Sequence, residues 1–134
     1  MSGQTTSGDV ASTIVAMEEA ALARWLRGDP SGFLEISDED VVYFDPFLAR
    51  RLDGLAALTA YYESLRGKVG AARFEILNPK VQRFADAAAL TFNFVSWSAG
   101  GEPTRWNCTE VYARRDEAWK IVQTHWSFTG GRRA

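Results

Sequence analysis

The sequence predicts an α+β domain in which helices come first and one long antiparallel sheet then curls into a cone around them. Two observations carry this. Up to about Leu65 apolar residues recur every three or four positions, whereas after Gly67 the pattern becomes extended and stays so. The extended part divides into four long runs separated by links of only a few residues, which suit hairpins between neighbouring strands.

The elements follow in order. Residues 1–8 are polar and small without apolar anchors, so a flexible tail is expected, followed by one domain over residues 9–129 and a second tail over 130–134. Asp9 or Ser12 suits the cap of a helix reaching about Arg27, with Val10, Ile14, Met17, Ala21 and Trp25 on its buried stripe. Val15, Leu22 and Leu26 widen that stripe, and Gly28 stops the helix. Asp29-Pro30 opens a short second helix carrying Phe33, Leu34 and Ile36. Val41 to Phe44 reads as a strand ended by Asp45-Pro46, and Phe47 to Leu52 as a short return strand. A third helix from Asp53 or Gly54 buries Leu55, Leu58, Tyr62 and Leu65. Four strands then cover residues 73–84, 88–98, 104–115 and 119–128. Pro79 marks an edge strand or a bulge in the first of them, and residues 115–118 form a tight polar turn between the last two.

Strict alternation in the last strand places Trp119, Ile121, Gln123, His125 and Ser127 on one face and Lys120, Val122, Thr124, Trp126 and Phe128 on the other. With the first set inward, His125, Gln123, Glu110, Asn93 and Tyr43 converge near the mouth of the cone. Phe92, Phe94, Val111, Val122, Thr124 and Trp126 then form an apolar patch on the convex face. That patch is too large to stay wet, so a homodimer through the convex sheet face is expected.

Composition limits the function classes. A chain of 134 residues with net charge −2 carries no electrostatic footprint for nucleic acid. No apolar run approaches the roughly 20 residues of a membrane span, and the N-terminus lacks the basic and apolar regions of a signal peptide. The single Cys108 excludes an internal disulfide, and no Cys/His spacing suits zinc. A soluble cytoplasmic domain with a small-molecule ligand, no cofactor, no metal, and neither nucleic acid nor membrane as partner is the expectation.

Three residues are candidates for acid/base chemistry. His125, the only histidine, has an unperturbed pKa near neutrality and suits proton transfer; the competing reading is a half-buried ring holding the strand end. Glu110 shares a face with Trp106, Cys108 and Tyr112, where desolvation would raise its proton affinity and make it a base, or where it would sit in a buried pair. Asp45 ends the first strand as a catalyst or as a simple Asp-Pro turn. Trp25, Tyr43, Tyr62, Asn93, Val95, Trp97, Tyr112 and Gln123 are the candidate ligand-binding residues, and Tyr61 joins Tyr43, Tyr62 and Trp25 in offering apolar walls and hydroxyl donors. Cys108, inside a strand, reads as a small buried hydrophobe.

The order of elements and four motifs resemble the nuclear transport factor 2-like (SnoaL-like) superfamily, a cystatin-like cone. Within it the chain is most similar to stand-alone bacterial relatives of the calcium/calmodulin-dependent protein kinase II association domain. The motifs are Leu77-Asn78-Pro79-Lys80-Val81, Phe44-Asp45-Pro46, Leu52-Asp53-Gly54 with Tyr61-Tyr62-Glu63-Ser64-Leu65, and the terminal hairpin from Thr109 to Trp119 with His125 and Ser127. The resemblance implies a cone with a pocket at its open end. It also implies arginines that hold a small carboxylate, but Val95 and Glu110 stand at two of those positions here, so that chemistry does not carry over. Three functions stay open: a homodimeric small-molecule-binding domain, an acid/base isomerase, cyclase, dehydratase or hydrolase using His125 with Glu110 or Asp45, and an oligomerisation scaffold.

Overall fold

The computed structural model describes residues 7–129. Helix α1 (Ser7–Leu26) is followed by α2 (Ser31–Glu35), β1 (Ser37–Phe44), β2 (Leu52–Asp53), α3 (Leu55–Leu65), β3 (Arg73–Phe84), β4 (Ala87–Trp97), β5 (Pro103–Arg115) and β6 (Ala118–Phe128). The expected tails lie outside the described residues except for Ser7 and Gly8, which open α1 instead. The return strand expected from Phe47 to Leu52 shrinks to Leu52–Asp53, because Asp45 to Arg51 form a turn and loop at the end of β1.

The six strands form one curved, unclosed sheet in the order β2-β1-β6-β5-β4-β3. All neighbours are antiparallel except β1 and β6, which run parallel. The free edge of β6 is the place left for β1, and the intervening α3 and three-hairpin meander return the chain in the same direction. As a result both strands finish at one end of the sheet, with Phe44 beside His125. That end delivers Asp45 to the functional site described below.

The core lies between the inner face of the sheet and the helices. Val10, Ile14, Glu18 and Leu22, four residues apart, are all buried along α1. Leu58 and Tyr62 are the buried face of α3, and Leu90, Phe92, Phe94, Cys108, Tyr112 and Ile121 come from the sheet. Each fully buried aliphatic side chain stabilises by roughly 1.5–3 kcal/mol. Gly28 ends α1 with φ 80° and hands its carbonyl to the Gly67 N–H at 2.9 Å, tying the α1–α2 link to the end of α3. A β-carbon there would stand 3.1 Å from Gly67.

Of the three register shifts in the sheet, those in β3 and β6 bear on the site. Pro79 lies on the edge strand β3 and also at a register shift between Leu77 and Lys80, where Asn78 takes φ 52°. In β6, Val111 pairs Gln123 but Tyr112 pairs Ile121, so Val122 is an extra residue. The alternation changes phase there. Trp119 and Ile121 face inward before the bulge, and Thr124 and Trp126 face inward after it. Gln123 and His125 are thereby turned to the outer face, the reverse of the strictly alternating expectation. Phe92, Phe94, Thr124 and Trp126, expected on the convex face, belong to the inner one. Among the described residues no helix is long and apolar enough to cross a membrane.

Candidate functional site

A cavity of about 520 Å³ opens between α1, α3, the loop after α3 and the end of the sheet where β1 stops. Nine of its nineteen lining residues are aromatic, so ring packing defines its walls. Trp25 meets Tyr62 edge-on at 4.9 Å, Tyr62 meets Tyr43 at 5.4 Å, and Trp126 bridges Phe94 at 5.5 Å and Trp106 at 5.8 Å. Phe47, 69% exposed, leans over the rim against Trp106. Ser96, Thr104 and Lys68 add polar groups to the wall.

Asp45 supplies the carboxylate of this cavity. Tyr43 and Tyr61 both donate their hydroxyls to Oδ2, at 2.9 and 2.7 Å, and the Phe47 N–H donates to Oδ1 at 2.8 Å. The last bond is the Asx turn that an Asp-Pro step favours, so one residue both closes the turn and points into the cavity. Burial, reinforced by Tyr62 and Asp45, holds the Tyr43 hydroxyl well above the ordinary tyrosine range. Burial and Asp45 likewise raise Tyr61. Both phenols therefore stay protonated donors.

Beneath the cavity floor lies a second polar cluster. Glu18 and Glu110 are each 1% exposed. Tyr112 donates to Glu18 Oε1 at 3.0 Å and Thr124 to Glu110 Oε2 at 3.3 Å. The other two oxygens, Glu18 Oε2 and Glu110 Oε1, have no hydrogen-bond partner, and a carboxylate oxygen of each residue lies within 4.8 Å of one of the other's. Two buried carboxyls this close are strongly disfavoured as a pair of charges, so the pair keeps a proton. Burial first, and then the charge of Glu18, push Glu110 well above the usual carboxylate range. Cys108 stands beside them, its ligand atom and theirs within 4.8 Å of one another. Burial raises its thiol, which marks it as inert rather than nucleophilic.

The expected site residues thus divide into three groups. Trp25, Tyr43, Asp45 and Tyr62 line the cavity. Glu110 and Tyr112 face inward but lie below it, committed to Glu18. His125, Gln123, Asn93, Val95 and Trp97 lie on the outer face. His125 stacks on Phe44 at 4.9 Å, Asn93 donates to Asn107 at 2.8 Å, and the Arg73 guanidinium sits 3.6 Å over the Trp97 ring. Val95 is flanked in register by Glu75 and Arg105. The expected convergence of His125, Gln123, Glu110, Asn93 and Tyr43 does not form, because the Val122 bulge reverses the first two and alternation in β4 turns Asn93 outward while Phe94 and Ser96 face in. Tyr61, expected with Tyr43, Tyr62 and Trp25 to give the pocket walls and hydroxyl donors, also lines the cavity. Sequence reading missed Glu18, which had a signal, since it falls midway between Ile14 and Leu22 on the buried stripe.

Residues 11–130 match the family of the calcium/calmodulin dependent protein kinase II association domain. No curated protein matches the chain. A solved structure of a candidate ketosteroid isomerase from Parabacteroides distasonis is 40% identical over 97% of this chain and 96% of its own, with a TM-score of 0.84. The S. rosetta calcium/calmodulin-dependent kinase II hub is 22% identical over 94% of this chain and 99% of its own, TM-score 0.71. A candidate dehydratase of the NTF2-like family from Streptomyces avermitilis is 17% identical over 94% and 100%, TM-score 0.75. The last two similarities concern the fold alone.

Proposed function

Because the chain belongs to the calcium/calmodulin-dependent protein kinase II association domain family, and its cone encloses an aromatic cavity, we propose that it is a stand-alone small-molecule-binding domain acting as a homodimer. The observation that carries this is Asp45: a carboxylate facing an apolar cavity, fixed by two tyrosine hydroxyls and a backbone N–H. Apolar walls supply affinity and a few placed polar groups supply orientation, which is the ordinary composition of a ligand site. The buried indole N–H of Trp106, a lining residue without an acceptor, favours a ligand bearing an acceptor atom. Filling the cavity tests it. N-phenyl-1-naphthylamine, a neutral probe that brightens in apolar surroundings, should bind the native protein. Ser96→Phe should weaken that binding at least about tenfold while the melting temperature holds. Equal brightening in the variant would remove the cavity as the binding site.

A second reading is favoured by the 40% identity to the candidate ketosteroid isomerase. Asp45 would take a proton from the carbon beside a ketone and return it two carbons away, shifting a double bond. Binding ranks first because the hydroxyl protons of Tyr43 and Tyr61 are engaged by Asp45 itself, which leaves the enolate oxygen with few donors. Conversion of a β,γ-unsaturated ketosteroid into its conjugated isomer, followed by ultraviolet absorbance, decides the matter. Turnover that Asp45→Asn abolishes establishes the isomerase, and no turnover in the native protein removes it.

A further inference from the structure

We propose that the cavity selects cations: its ligand is a small organic ammonium ion whose positive end sits against Asp45 among the aromatic faces. This rests on the reading of the cavity as a small-molecule site and names the chemical class that it takes. The first ground is that Asp45 has no cationic partner. Its three donors, two phenols and one backbone N–H, are all neutral, and among the described residues it forms no ion pair. Three donors occupy three of the roughly four acceptor positions of a carboxylate, so one is left for a ligand N–H. The only basic side chain in the described wall is Lys68, which is solvent-exposed and, among the described residues, forms no ion pair.

The second ground is the wall itself. Aromatic faces carry the negative lobe of the ring quadrupole and attract cations, most strongly where water is excluded. Trp25, Tyr61, Tyr62, Trp106 and Trp126 surround the same space that Asp45 borders. A fixed negative charge and this set of rings act with the same sign. An anionic ligand meets both as repulsion, and a neutral one gains only the apolar contact and a hydrogen bond. Tyr43 and Tyr61, already donating to Asp45, hold the carboxylate in place without neutralising it, so the charge remains for a ligand to compensate.

Three probes that share a ring and differ in charge test the assignment: benzylammonium, benzyl alcohol and benzoate, titrated at pH 7 against the tryptophan fluorescence of the intact protein. Benzylammonium should bind about tenfold more tightly than benzyl alcohol, and benzoate most weakly. Asp45→Asn should remove the preference, so that benzylammonium binds no more tightly than benzyl alcohol does in the same variant. Because that substitution alters a hydrogen-bonded turn, its melting curve is measured alongside. The ranking in the native protein stands as a separate test should the variant unfold. Binding of benzyl alcohol without preference for benzylammonium, or a preference that survives in Asp45→Asn, overturns cation selection while the binding function stands. Tightest binding of benzoate overturns it in the same way. Failure of all three probes to bind overturns both.

Discussion

Glu18 and Glu110 place two carboxyls where aliphatic side chains would serve the core. The physical solution is one proton for two groups, and it makes a pH dependence. Glu110 holds its proton in the folded state to a pH well above its ordinary value of 4.5, chiefly through burial and then through Glu18. The unfolded chain releases that proton near 4.5. Between those two values the folded state binds more protons than the unfolded one, so stability is full below about 4.5 and is lost as pH rises toward the folded pKa. The slope approaches about 1.4 kcal/mol per pH unit for one proton. Glu110→Gln keeps the net charge of the pair, since a neutral amide replaces the protonated carboxyl, and needs no proton at all. Urea unfolding from pH 5 to pH 8 should therefore show the variant gaining on the native protein as pH rises. Parallel curves would mean that the pair holds no extra proton. At this scale the sequence was half legible. The alternation that groups Glu110 with Trp106, Cys108 and Tyr112 is the one the structure has. Its partner Glu18 is legible from spacing alone, but a charged residue in an apolar helical stripe ordinarily marks a surface position.

Elements were more legible than the positions within them. The 3.6-residue period of α1 and α3 and the period of two after Gly67 are driven by burial of one face, and burial survives every detail of packing. The two-residue turn between β5 and β6, with Asp116 at φ 49° and Glu117 at φ 69°, follows from the tight connection that alternating strands require. What periodicity does not contain is a single extra residue. Val122 has no sequence mark that separates it from its neighbours Ile121 and Gln123, yet it shifts every later side chain of β6 to the other face. That shift carries Trp126 into the cavity wall and His125 out beside Phe44. The parallel pairing of β1 with β6 is likewise decided by which edge is free after the meander closes, a property of the whole sheet. Asp45 owes its place in the cavity to that pairing, so the site was legible as residue types and not as an arrangement.

For the molecule as a whole, the sheet separates two surfaces. The cavity occupies the inner side, and the outer side carries Asn93, Asn107 and Ser127 in a hydrogen-bonded row, with Thr109, Gln123 and His125 beside it. An outer face of this kind is polar at its centre, and Phe44, 38% exposed, lies at its β1 end. Homodimerisation through this face is part of the proposed function, and its chemistry now differs from the apolar patch first expected: side-chain amides and hydroxyls can pair with their own copies across a two-fold axis, where donors meet acceptors by symmetry. Light scattering at micromolar concentration should give twice the chain mass. Asn107→Arg places two like charges near that axis and should return a monomer, because facing charges without partners oppose association. Since Asn107 points away from the cavity, N-phenyl-1-naphthylamine should bind the variant as it binds the native protein. A monomeric native protein would end the dimer. A larger closed assembly would favour the scaffold reading, and loss of probe binding in Asn107→Arg would show that the inner site depends on the partner subunit.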